Sequence, residues 1–201
     1  MKEWLLLSIL YILVAVRIVL TIFRKHLSAT LRGILKEYLD SFIVAGIAAI
    51  LIITYVARSF YIPSESMVPT LKVNDYILVN RFIYKMASPS RGEIIVFHPP
   101  HVKNPAETDF IKRVVAVEGD VIQVSDGVLY LNGFPQDEPF IKEPIEADFP
   151  AYRVPKGHVF VMGDNRNNSD DSRYWGPLPI QNIVGKAFVI FWPFSRHGLL
   201  K

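Results

Sequence analysis

Two serines, Ser64 and Ser66, lie between Pro63 and Pro69 in the segment Ile62-Pro63-Ser64-Glu65-Ser66-Met67-Val68-Pro69-Thr70-Leu71. Proline fixes its own φ and pushes the residue before it toward extended geometry. The segment is therefore stiff and non-helical, and a hydroxyl in it can be aimed. An aimed hydroxyl can act as a nucleophile once a neighbour takes its proton. Prolines around serines are also ordinary loop chemistry, so the motif needs a base before it carries function.

Histidine is the first base to consider, and the chain has five. His98 and His101 flank Pro99-Pro100, His158 opens a β-like run, His197 lies near the end and His26 lies far upstream. None belongs to a recognisable motif, and sequence order neither favours nor excludes a Ser-His-Asp arrangement. Lysine is the second. In Asp109-Phe110-Ile111-Lys112-Arg113-Val114-Val115-Ala116-Val117, strand alternation puts Phe110, Lys112, Val114 and Ala116 on one face. A lysine buried with Phe and Val loses affinity for its proton, because desolvation disfavours the ammonium. The neutral amine left behind is a competent general base. The plainer alternative is a strand lysine whose stem packs while its ammonium reaches water.

A third polar stretch, Gly163-Asp164-Asn165-Arg166-Asn167-Asn168-Ser169-Asp170-Asp171-Ser172-Arg173-Tyr174-Trp175-Gly176, is the densest in the chain. It fails as a calcium loop, since the sixth position from Asp164 is Ser169, where glycine is required, and the twelfth is Trp175, where glutamate is required. Asp171 and Arg173 are spaced to pair, Ser169 can hydrogen-bond inside a site, and Tyr174-Trp175-Gly176 suggests a packed loop. A solvated Asx-rich loop is the alternative.

The elements that must position these groups are short β-like runs: 76–84, 93–97, 110–117, 121–124, 128–131, 158–162 and 183–192. Asp126-Gly127 and Asn132-Gly133 bracket Val128 to Leu131 and read as hairpin turns. No useful helical period follows residue 72. Gln136 to Pro155, rich in proline and acids, is expected to be a long exposed loop. The fold class is therefore mainly β, an antiparallel domain.

Of the 201 residues, 51% are apolar, and the excess lies before residue 63. Trp4 to Phe23 is interrupted only by Arg17, and Ser41 to Ala57 carries no charge. A hydrocarbon core of roughly 30 Å takes about 20 apolar residues, so two transmembrane helices are expected, over 1–23 and 41–60. Arg17 would snorkel to the headgroups. Arg24, Lys25, Arg32 and Lys36 make 24–40 a cytoplasmic loop by the positive-inside rule, leaving 61–201 outside. A cleavable leader competes for the first run, but no small-x-small site follows its apolar core. The net charge of +3 is scattered, which gives nucleic-acid binding no support. With no cysteine there are no disulfides, thiolate metal sites or cysteine nucleophile.

Taken together the chain closely resembles the bacterial type I signal peptidases (leader peptidases), the membrane-bound serine–lysine endopeptidases of the S26 family. Four blocks carry the resemblance in order: Ile62 to Leu71, Arg91-Gly92-Glu93-Ile94-Ile95-Val96-Phe97, Phe110 to Asp120, and Gly163 to Gly176. The resemblance implies Ser66 as nucleophile and Lys112 as general base, with the Ser64 hydroxyl and the Ser66 N–H as the oxyanion hole. It implies that Ser169 orients the base, that Asp171 and Arg173 support the site, and that Phe60, Ile62 and Ile111 form shallow substrate pockets. It further implies no cofactor and no metal, signal peptides of secretory preproteins and the lipid bilayer as partners, and a place in the cytoplasmic membrane with the catalytic domain on the extracytoplasmic side. The region 122–152 is short beside relatives with a large extra β domain there. Penicillin-binding acyl-transferases also use serine and lysine, but their Ser-x-x-Lys is missing: Pro69 stands three residues after Ser66 and Met67 three after Ser64. A tethered β module that only binds peptides would tolerate loss of Ser66 and Lys112.

Overall fold

A computed structural model describes residues 2–22, 29–51, 57–102 and 109–200, in two compact units, 1–56 and 57–201.

In the first unit, helix α1 (Lys2–Ile22) packs against α2 (Ala29–Leu51). Arg17 of α1 does not stand alone as a snorkelling cation, for its Nη2 donates to Asp40 Oδ2 of α2 at 3.2 Å. The second helix lies earlier than expected. It takes in much of the charged stretch assigned to a loop over 24–40; the apolar run from Ser41 is helical through Leu51, 57–60 is strand where helix was expected, and 52–56 lies outside the described residues. The rest of the expected loop, with Arg24, Lys25 and His26, lies outside the described residues. Among the described residues, no helix is long and apolar enough to cross a membrane.

The second unit is mainly β and antiparallel. Its strands are β1 (Ala57–Tyr61), β2 (Tyr76–Asn80), β3 (Ile94–Phe97), β4 (Phe110–Val117), β5 (Val121–Ser125) and β6 (Val128–Leu131), followed by β7 (Phe134–Pro135), β8 (Phe149–Arg153), β9 (His158–Met162), β10 (Leu178–Pro179), β11 (Ile183–Trp192) and β12 (Gly198–Leu199). The larger sheet runs β1-β2-β11-β3-β4-β9-β10 with β12 added on β11, and the smaller runs β7-β6-β5-β8. Asp126-Gly127 and Asn132-Gly133 all take positive φ, the conformation of type I′ turns, and join β5 to β6 and β6 to β7.

Two differences from the sequence reading have local causes. The 136–155 stretch is not one long loop, because β8 pairs with β5, and Ile145 and Val154 are buried beside it. Pro150 hid this strand, yet β8 is an edge strand, where a residue without an N–H is tolerated. In β4 the alternation breaks at a register shift between Val114 and Ala116. Val114 enters the cluster of Ile95, Phe97 and Val161, whereas Val115 and Ala116 both enter that of Ile122, Leu129 and Phe160. A bulge re-aims side chains in this way. β4 is thus covered on both faces, which is what keeps Lys112 dry.

Candidate active site

The serine loop is held at its ends and its middle by apolar anchors. Ile62, Met67 and Leu71 are all in one core cluster with Ile77, Val96 and Ile111. Ile62 N donates to Asp75 O and Asn74 N donates to Ile62 O, fixing the point where the chain leaves β1. Val68 N to Glu65 O and Leu71 N to Met67 O close turns around Ser66. Met67 is buried inward, so its neighbour Ser66 faces the cleft.

There Lys112 Nζ lies 2.8 Å from Ser66 Oγ and donates to Ile111 O at 3.0 Å. Lys112 is 4% exposed and Ser66 8%. Burial lowers the Lys112 pKa from 10.5 to about 8, while the charges of Asp171, Asp170 and Asp164 oppose that change. The Phe110 ring, 5.4 Å from Nζ, forms part of the dry wall. Ser64 Oγ stands 3.3 Å from Ser66 Oγ. The three groups border an open cleft of about 460 Å³, lined also by Glu65, Phe110, Ile111 and Asp170. Of the apolar residues expected to form pockets, Ile111 lines this cleft, Ile62 is inside the core and Phe60 packs against that core.

The polar loop after β9 clamps the serine loop from behind. Asn165 donates its backbone N–H to Ser66 O and its side-chain amide to Glu65 O, both at 3.1 Å. Asp171 accepts from Gly163 N at 3.1 Å and binds the Arg173 guanidinium through both oxygens, each at 2.9 Å. It also caps the short helix α3 (Ser172–Trp175). Arg173 reaches on to Arg166 O, and Arg166 joins Gly163 O to the carboxylate of Glu138. Ser169 Oγ is buried against Gly163 and has no hydrogen-bond partner. No bond joins it to Lys112, whose donors face Ser66 and Ile111.

Sequence reasoning missed the residues that tie these segments together. Arg113, next to the base but on the other face of β4, forms a bidentate pair with Asp164, Nε to Oδ1 at 2.9 Å and Nη2 to Oδ2 at 2.8 Å. The pair is almost fully buried, and Thr70 of the serine loop donates to the same carboxylate. Removing one partner of a buried ion pair leaves an uncompensated charge, typically at about 3–5 kcal/mol. Asp164→Ala is therefore expected to destabilise the protein by roughly that amount in urea unfolding, far more than Ala at the exposed Asp126.

A hydroxyl within hydrogen-bonding reach of a buried amine, with a second hydroxyl beside it and an open cleft in front, is an arrangement that a serine hydrolase with an amine base would require. The family described as signal peptidase, peptidase S26, matches residues 35–192. The chain is 47% identical over 170 residues to a probable signal peptidase I-1 of Synechocystis, covering 83% of this chain and 87% of that one. It is 35% identical to a signal peptidase I of Pseudomonas fluorescens, with 84% and 80% covered. The crystal structure of a signal peptidase I from Enterococcus faecalis aligns with a TM-score of 0.44 at 30% identity, over 50% of this chain and 97% of that one. The chain belongs to the signal peptidase family, peptidase S26, and is a serine endopeptidase of that family.

Proposed function

We propose that the protein removes signal peptides from exported preproteins with a Ser66–Lys112 dyad, at the outer face of the cytoplasmic membrane. The observation that carries this reading is the 2.8 Å approach of Lys112 Nζ to Ser66 Oγ in a place where the amine is screened from water. The neutral amine accepts the Ser66 proton as Oγ attacks the scissile carbonyl. The Ser64 hydroxyl and the Ser66 N–H stabilise the oxyanion. The ammonium then protonates the departing amine, leaving an acyl ester on Ser66. Lys112 next takes a proton from water, whose hydroxyl attacks the ester, and Ser66 is released with its proton restored. No metal or cofactor enters these steps. The Asp171–Arg173 pair holds the loop that carries Ser169 behind the site.

Ile111, supported by Phe60 and Ile62, gives shallow apolar contacts that suit small residues one and three positions before the cut. Anchoring by the two N-terminal helices is part of the reading. It is supported by the apolar runs on either side of the basic stretch 24–36, and by large apolar side chains left exposed on the helices, among them Ile22, Phe42 and Val44.

The test is incubation of the detergent-solubilised chain with a secretory precursor, mapping the new N-terminus. The wild type is expected to cut after a small-x-small sequence and Ser66→Ala to give no such product. The same cleavage by Ser66→Ala would overturn the assignment.

A further inference from the structure

The backbone around Ser66 is gripped on both sides by one residue of the polar loop. Asn165 N donates to Ser66 O, and Asn165 Nδ2 donates to Glu65 O, the carbonyl of the peptide that leads into Ser66. Val68 N also donates to Glu65 O, at 3.0 Å, but it belongs to the serine loop and turns with it. The side chain of Asn165 is therefore the tie that fixes this peptide against another part of the fold. It is 3% exposed and stands outside the lining of the cleft. Among the described residues its buried Oδ1 has no hydrogen-bond partner, so the side chain is held by its bond to Glu65 O.

We infer that Asn165 is a positioning residue of the oxyanion hole: by drawing Glu65 O back, its side chain turns the Ser66 N–H toward the cleft. This rests on the reading of the Ser66 N–H as an oxyanion donor. The Glu65–Ser66 peptide is trans, and a planar trans peptide points its C=O and N–H in opposite directions. Tying the oxygen to the loop behind therefore aims the N–H forward. Among the described residues no acceptor takes that N–H, which leaves it free for a charge that develops in the cleft. A bond accepted at the carbonyl end also polarises the peptide and strengthens its N–H as a donor. Loss of the side-chain amide releases the orientation of this one peptide. Asn165 N still holds Ser66 O, Val68 N still satisfies Glu65 O, and Lys112 Nζ keeps its place beside Ser66 Oγ.

The full-length chain in detergent tests this, through cleavage of a secretory precursor and two probes, a peptide ending in an Ala-x-Ala aldehyde and the same peptide as its carboxamide. Ser66 Oγ adds to the aldehyde carbon, its proton ends on the former carbonyl oxygen, and that oxygen occupies the oxyanion position. The carboxamide binds without adding. Asn165→Ala is expected to lower kcat by about 10- to 100-fold, less than loss of a donor itself, with KM and the pH midpoint of kcat/KM unmoved. Affinity for the aldehyde should fall by a similar factor, and that for the carboxamide by less than about twofold. Asn165→Asp keeps the size and the backbone bond but offers Glu65 O an acceptor. It should lose at least as much, and reads the same quantity if Asn165→Ala does not fold. Wild-type kcat in either variant would overturn the inference. So would equal losses of aldehyde and carboxamide binding, or a shifted pH midpoint, which mark a general displacement of the serine loop. A wild-type chain that binds aldehyde no tighter than carboxamide would instead remove Ser66 as nucleophile, a distinct failure that takes the inference with it.

Discussion

Lys112→Arg is expected to lower precursor cleavage by about a thousandfold or more, with the β unit still folded by circular dichroism. Arginine keeps the positive charge but cannot give up its proton at any accessible pH. Lys112 is different because of where it stands. Burial lowers its pKa to about 8, so roughly one molecule in ten carries the free amine at pH 7 and half do at pH 8. The rate should then climb about tenfold between pH 6 and 7 and level off above 8. A rate that does not vary from acid to alkaline pH would exclude an amine base.

The same burial makes stability depend on pH. The lysine is held below its unfolded value, so between about pH 8 and 10.5 the unfolded chain binds the extra proton and folding strengthens as pH rises. Below pH 8 the ammonium is buried at full cost. Lys112→Met, apolar and of similar volume, should be inactive yet more stable than wild type at pH 7, by roughly 1–3 kcal/mol. That advantage should shrink through the alkaline range as the wild-type amine becomes neutral. Denaturant unfolding at pH 7 and pH 10 reads both statements.

What the sequence disclosed and what it concealed divide along a physical line. Runs such as Phe110 to Val117 and His158 to Met162 announce themselves by β-branched and aromatic content, and the turns at Asp126-Gly127 and Asn132-Gly133 by their need for positive φ. Those are local signals. The braces of the site are not. Asp164 finds Arg113 across 51 positions, and Asn165 finds the Glu65 carbonyl across 100. Nothing in either neighbourhood encodes the partner, because the pairing follows only from β9 lying beside β4 in the sheet. The bulge that ends the alternation of β4 is equally silent, being set by packing on both faces. The start of the second helix at Ala29 was hidden for another reason. Its charged first half lacks an apolar stripe long enough to register against the stronger apolar run that follows.

Gly163→Ala should be strongly damaging, although the glycine does no chemistry. A Cβ built there would overlap the backbone carbonyl of Ser66 and the hydroxyl of Ser169, and would come within 2.7 Å of Ser169 Cβ. The Ser66 carbonyl, being backbone, cannot retreat cheaply. The Ser66 carbonyl is held by Asn165 N, Gly163 N is held by Asp171, and Gly163 O is held by Arg166. The methyl therefore has to push the serine loop itself, and a displacement of about 1 Å at a reacting atom costs on the order of a hundredfold in rate. We expect kcat to fall by about that factor with KM little changed, together with a loss of stability of about 1–3 kcal/mol from overpacking. Gly198→Ala is the matched control, since a Cβ there meets nothing within 4 Å and the backbone needs no positive φ. The double variant Gly163→Ala, Ser169→Gly relieves the contacts with Ser169 but not the one with Ser66, so it should recover only part of the stability and little of the rate. If Gly163→Ala cleaves precursor at the wild-type rate, the clamp between the two loops does not position the nucleophile.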